Sequence, residues 1–350
     1  MSELYEVEVD ALANPHTHLR EGYGVMQSLV KKAIEGGADV LGPMPNTSEG
    51  LTDATQVRNY IETAKIFADG NVTFIPIVMV NERTNTYIID QCVEQGIVDC
   101  KVYPLDRTTK SHNGVRNYHR LMDVVRHCGK VGMKCHFHPE HPSMNFDNRD
   151  AEFAFLPILD MFLNETEAII VSEHGTDARC IIHWKEMAKS SRFFVTLTAH
   201  HLCTNEDETF GDVRAVCKPP IKTRMDQSSL IQLVKENNPW VLAGLDDAAH
   251  DAKAKHVNQG RCARGAYTAP FGLCLYAHAL GDLLMSPEGI KTFVNFTGRN
   301  ARALHGLRQS PRKVTLVKKP FLIPASYRIG TWWVEPFWAG REIDWTLSYV

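Results

Sequence analysis

Short runs of apolar and β-branched residues recur along the chain, separated by stretches with helical spacing. In order, the runs are ALANPH, ADVLGPMPN, VTFIPIVMV, VDCKVYP, GMKCHFHPE, EAIIVSEHG, RFFVTLTAHH and WVLAGLDD. Between the first two, GVMQSLVKKAIEGG sets Val25, Leu29 and Ala33 on one helical face and ends on glycine, a stop signal. QVRNYIETAKIF and YHRLMDVVRHCGK repeat that pattern later. Strands alternating with helices predict an α/β fold with a parallel sheet, and eight strands is the number that closes a (β/α)8 TIM barrel. An open doubly wound sheet would suit the same alternation, but no glycine-rich nucleotide loop follows the first run. The last 50 or so residues (about 300–350), with WWVEPFWAG, predict an aromatic C-terminal extension packed on the barrel, so 1–350 reads as one domain.

Composition narrows the class. The 350 residues are 44% hydrophobic and 23% charged, ordinary usage for a globular protein. A formal net charge of −3 offers no basic excess, so no nucleic-acid partner is expected. Nine cysteines, an odd number without a CxxC pair, predict reduced, mostly buried thiols of an intracellular protein. No apolar run reaches membrane-spanning length, and the acidic MSELYEVEVD lacks the form of a secretory signal. The expectation is a cytoplasmic protein with no membrane partner.

The polar residues at the ends of the predicted strands carry the chemistry. NPHTHLREG puts His16, His18 and Arg20 at alternate positions, on one face of an extended strand. Imidazole is a common metal ligand, and guanidinium suits carboxylate or phosphate. Later strands run into Pro45, Asn46 and Thr47; into Lys101; into His136, His138 and Glu140; into Glu173 and His174; and into Asp246, with His250 four residues on. In a barrel enzyme the site lies at these C-terminal strand ends. One histidine there is more often a hydrogen-bonded structural group than a ligand. Six strand ends so decorated would bury many polar groups unpaired unless they shared a cation. Lys101, flanked by valines in VDCKVYP, either snorkels to solvent or has reacted with carbon dioxide to form a carbamate, an anion able to bridge two metals.

Taken together, HxHxR, PN, a strand-embedded lysine, and later His, His and Asp resemble the amidohydrolase superfamily. Within it the chain is similar to the dihydroorotases of the single-function bacterial and fungal type. The likeness runs through MPNT, KVYP with a TT-containing loop, FDNRDAEF, EHGTDA, TAHHL, LDDAAH and PFWAG. It implies two Zn²⁺ per subunit, bridged by N6-carboxylated Lys101 and a hydroxide. His16, His18 and Asp246 would hold one metal, and His138 and His174 the other. On the fifth strand His136 competes with His138, and the HxE pattern with the spacing from Gly132 favours His138. Arg20, Asn46 and His250 would hold the substrate carboxylate, Thr108 and Thr109 would lie in a mobile lid, and backbone contacts would come near Lys218 and Ala263. Asp246 would be the acid/base of a reversible, zinc-dependent cyclisation of N-carbamoyl-L-aspartate to dihydroorotate in pyrimidine biosynthesis. A homodimer follows by the same analogy.

Three positions depart from the family pattern. Lys218 in VCKPPIK replaces an apolar residue, LDDAAH has Asp247 and Ala249 where Ser and Pro are common, and the segment after Glu140 is a few residues shorter. Asp247 alternates with Asp246 and is expected to point away from the barrel axis. The competing readings are a dihydropyrimidinase or hydantoinase, a non-catalytic scaffold paralogue, and a mononuclear deaminase. Arg20 argues against the neutral rings of the first, the filled ligand positions against the second, and Lys101 against the third.

Overall fold

Every run in the apolar pattern becomes a strand, and two of them become a pair of strands each. The computed structural model describes residues 4–348; the first three residues of MSELYEVEVD lie outside that range. After a short strand β1 (Glu6–Asp10) come β2 (Leu12–His18), β3 (Ala38–Pro43), β4 (Thr73–Phe74) and β5 (Ile77–Val80). They continue as β6 (Asp99–Val102), β7 (Lys134–Phe137), β8 (Ile169–Ser172), β9 (Phe193–Leu197), β10 (Val241–Ala243) and β11 (Asp247–Ala248). β5 to β10 form one parallel six-stranded sheet in sequential order, and β11, β2, β3 and β4 form a four-stranded one.

The two sheets join through the interrupted strands. In VTFIPIVMV the Ile75–Pro76 step breaks the ladder, because proline has no N–H to donate. The residues before it pair with β3 and those after it with β6. In WVLAGLDD, β10 pairs with β9 and β11 with β2. Between them Asp246 N donates to His16 O at 3.0 Å. Each broken strand thus belongs to both sheets, which makes the eight-stranded (β/α)8 barrel.

Helices α1 (Tyr23–Glu35), α2 (Ala54–Ala68), α3 (Thr86–Glu94), α4 (Met122–Val131), α5 (Leu156–Glu165) and α6 (Ile181–Ala188) follow successive barrel strands. Their apolar stripes pack against the outer face of the strands. α1 buries Val25, Met26, Leu29, Val30 and Ala33, the periodic set of its sequence, and α2 starts on an Asp53 capping box. The nine cysteines are free thiols, all buried except the half-buried Cys262.

The C-terminal segment carries a small sheet and a hairpin. β12 (Lys313–Leu322) pairs antiparallel with both β1 and β15 (Glu342–Ser348), while β13 (Tyr327–Ile329) and β14 (Trp332–Val334) make a separate hairpin. The two ends of the chain therefore close one small sheet against the barrel. EVEVD alternates exposed and buried side chains through Val9, a period of two that marks this strand in retrospect.

Candidate active site

The strand ends converge on one small cavity. It is lined by His16, His18, Arg20, Asn46, Tyr103, Thr108, Thr109, His138, His174, Lys218, Asp246, Ala248, Arg264 and Gly265. A larger groove between α5 and α6, lined by Phe153, Leu156, Met187, His183, Glu186 and Arg192 among others, lies outside the barrel and gathers none of these strand-end groups.

β2 presents His16 and His18 from the same face, as alternation requires. The Nε2 atoms of both rings lie 3.0 Å from Asp246 Oδ1. His174 follows β8 and stands with its ring centroid 5.3 Å from that of His16 and 4.5 Å from that of His138. Arg20, His174 and Asp246 all adopt left-handed backbone, with φ of 57°, 42° and 46°. Such conformations are unfavourable for non-glycine residues and persist where the surrounding structure enforces them. Here they turn three side chains back over the barrel mouth.

The electrostatics suit a cation. Burial holds His16 and His174 below the ordinary imidazole value and brings His18 to about 3, so the rings are neutral and keep a lone pair. Burial alone would raise the Asp246 carboxyl, but His16, His18 and His174 keep it ionised, well below its ordinary value. Burial pushes the Lys101 amine well below the usual lysine range, which favours the neutral form that reacts with carbon dioxide. Two groups of ligand atoms, His16/His18/Asp246 and His16/Glu173/His174, each lie within 4.8 Å of one another. The buried His174 Nδ1 has no hydrogen-bond partner among the described residues, while His16 Nδ1 and Lys101 Nζ face Glu173 Oε2. Neutral imidazoles, an ionised carboxylate and an orphaned buried nitrogen around one point fit a metal centre.

His138 and His136 separate cleanly. His138 faces the cavity, with Nε2 2.7 Å from Glu140 Oε2. His136 points below it, with Nδ1 3.1 Å from Glu173 Oε1 and Nε2 3.0 Å from Asp99 Oδ1. Both of its nitrogens are engaged.

Arg20 is buried. Its Nε donates to Ala249 O at 3.0 Å, and its Nη2 lies 3.1 Å from His250 Nε2. His250 Nε2 also lies 2.9 Å from Arg264 O, and Ala263 O accepts from Lys255 Nζ at 3.1 Å. Thr108 and Thr109 line the cavity. The loop is tied down on both sides, by Asn46 Nδ2 to Thr109 O at 3.1 Å and by Thr109 Oγ1 to Arg264 O at 3.2 Å.

Lys218 lines the cavity, and its Nζ is bonded to Glu140 Oε1 at 3.0 Å and to Asn148 Oδ1. Asp247 avoids the cavity and accepts from Asn14 Nδ2 and Thr17 Oγ1, each at 3.0 Å. Tyr103, Ala248, Arg264 and Gly265 were not singled out by sequence. Tyr103 was within reach, since it follows Lys101 by two residues. Gly265 has φ +151°, and a Cβ there would sit 2.5 Å from Ala248 Cβ. A glycine is therefore needed where this loop touches the wall.

No family model matches the chain. A dihydroorotase of Halorhodospira halophila is 29% identical over 343 residues, covering 95% of this chain and 96% of that protein. The chain is similar in sequence to dihydroorotases. A probable dihydroorotase of Schizosaccharomyces pombe is 28% identical over 346 residues, covering 98% of this chain and 99% of the other. The crystal structure of dihydroorotase from Saccharomyces cerevisiae with 5-fluoroorotic acid superposes with a TM-score of 0.91 at 24% identity, covering 98% of both chains. An L-hydantoinase of Arthrobacter aurescens shares the fold at 12% identity, with a TM-score of 0.80 over 97% of this chain and 82% of its own. The chain shares the (β/α)8 barrel fold of these structures, and its sequence likeness to dihydroorotases covers 95–98% of its length. Among the described residues no helix is long and apolar enough to cross a membrane.

Proposed function

We propose that this protein is a dihydroorotase, interconverting N-carbamoyl-L-aspartate and L-dihydroorotate. The observation that carries the reading is Arg20, a buried guanidinium opening onto the same cavity as His16, His18, His138, His174 and Asp246. A neutral cyclic amide gives that guanidinium nothing to pair with. A ring carboxylate does, and forked N–H groups match it.

His16, His18 and Asp246 would hold one zinc, His138 and His174 the other, with carboxylated Lys101 between them. Two bound zinc ions would lower the pKa of a shared water towards about 7 and polarise the ring carbonyl. Arg20 and Asn46 would anchor the carboxylate, with His250 acting through its contact with Arg20. In hydrolysis, an Asp246 carboxylate oxygen takes the proton of the attacking water and passes it to the departing ring nitrogen; in closure it runs the same path backwards. Thr108 and Thr109 cap the site and keep bulk water out. The hydantoinase reading shares the fold but leaves Arg20 unexplained. Cytoplasmic location and a homodimer belong to the same reading, supported by the free buried thiols and by the likeness to dihydroorotases.

Purified protein supplied with zinc and bicarbonate should form dihydroorotate from carbamoyl aspartate, lose that activity on chelation and regain it with zinc. No turnover in either direction with zinc bound would refute the reading.

A further inference from the structure

Beneath the cavity runs a column of buried ionisable groups that the reaction does not use. Glu173, directly after β8, is fully buried and points down the barrel. Its Oε2 touches Lys101 Nζ and lies 3.1 Å from His16 Nδ1. Its Oε1 lies 3.1 Å from His136 Nδ1, and His136 Nε2 in turn lies 3.0 Å from Asp99 Oδ1. The same Asp99 oxygen is 3.1 Å from His305 Nδ1, and the imidazoles of His136 and His305 stack 5.7 Å apart. Lys134 Nζ, 3.6 Å from Asp99 Oδ2, closes the column at the barrel floor. Burying an unpaired carboxylate is expensive, so each member depends on the next for its position.

We propose that Glu173, fixed in place by His136, is the positioning residue for carboxylated Lys101. The inference rests on the reading of Lys101 given above. When the neutral amine adds to carbon dioxide, a C–N bond forms, one C=O bond becomes a carboxylate C–O⁻, and one proton leaves the nitrogen for the solvent, so Glu173 stays ionised. The product, –NH–COO⁻, retains a single N–H. Glu173 Oε2 is the acceptor beside that nitrogen. Holding the N–H fixes the plane of the carbamate and so the direction in which its two oxygens point. The same carboxylate oxygen faces His16 Nδ1, which leaves Nε2 as the nitrogen presented to the cavity. One carboxylate therefore aligns two ligands, in the manner of the outer groups that orient metal-binding histidines.

The test uses the zinc-loaded protein in ¹³C-bicarbonate, with the carbamate carbon read by ¹³C NMR and zinc by atomic emission. The wild type should show one carbamate carbon and two zinc ions per chain. Glu173→Ala should keep less than a tenth of the carbamate signal at low bicarbonate and lose at least one zinc, and both should recover as bicarbonate is raised. His136→Phe, which leaves Glu173 in place but unanchored, should fall between the two and serves if Glu173→Ala does not fold. A purely structural role would lower the melting temperature without making zinc content depend on bicarbonate, and that outcome overturns the inference. So does a folded variant with wild-type carbamate. A wild type without carbamate overturns instead the reading of Lys101 on which the inference rests.

Discussion

Glu140 Oε2 lies 2.7 Å from His138 Nε2, and both residues are buried. Burial keeps the His138 imidazole neutral, while His138 and Lys218 hold the Glu140 carboxyl below its ordinary value against the opposing effect of burial. A neutral ring therefore donates from Nε2 to a carboxylate, which leaves Nδ1 as the lone pair for a metal. Loss of such an outer partner weakens metal affinity by about 10–100-fold. Glu140→Ala should show that loss for the second zinc when titrated against a chromophoric chelator. Unchanged affinity for both zincs would remove Glu140 from the account.

In the proposed reading Arg20 binds the substrate and not the metal. Arg20→Met deletes charge-assisted hydrogen bonds of about 1.5–3 kcal/mol each. A fall of at least about 100-fold in kcat/KM for dihydroorotate is expected, at two zincs per chain. If zinc were lost along with activity, the division of labour within HTHLR would be wrong.

In the proposed reading Thr108 and Thr109 form a lid, which rests on single hydrogen bonds. Thr109 Oγ1 donates to Arg264 O at 3.2 Å, and an ordinary hydrogen bond contributes about 1 kcal/mol. Thr109→Val should raise KM roughly fivefold with zinc content unchanged, as steady-state kinetics would show. No change in KM would mean that this bond does not govern closure.

A second buried ion cluster sits away from the site. Lys222 Nζ lies 2.8 Å from Glu152 Oε2 and 3.2 Å from Asp177 Oδ2, with all three side chains 2% exposed. Burial alone would raise the Asp177 carboxyl, but Arg179 and Lys222 hold it below its ordinary value. A depressed carboxylate stabilises the fold above its unfolded pKa, near 4, and that contribution is lost as pH falls through the folded value. Lys222→Met leaves two carboxylates facing each other and should cost about 3–5 kcal/mol at pH 7. Because the variant has less of this contribution to lose, its melting temperature should fall less steeply than the wild type's between pH 5 and pH 3. Parallel curves would contradict the assignment.

The sequence made the barrel legible because its parallel strands are buried on both faces and read as continuous apolar runs. It hid the breaks at Pro76 and between Ala243 and Asp247, since a broken strand keeps the composition of an intact one. β1 escaped because EVEVD is short, and its partner β12 lies some 300 residues away. Within the site, alternation made His16, His18 and Arg20 readable as one group. The Lys218–Glu140–His138 chain was not readable, because it joins residues up to 80 positions apart whose contact only the closed barrel creates. Arg264 was hidden in the same way, since nothing local marks which side chain of RCARG turns inward.

The central claim is that Arg20 makes this barrel a reader of ring carboxylates. It is tested most directly by the ratio of kcat/KM for dihydroorotate to that for dihydrouracil, measured on one zinc-loaded preparation. Sites built around a buried polar partner reject analogues lacking the matching group by about 10⁴–10⁵. The account predicts a ratio of at least about 10³, collapsing in Arg20→Met. A ratio near or below one, with dihydrouracil turned over freely, would contradict it.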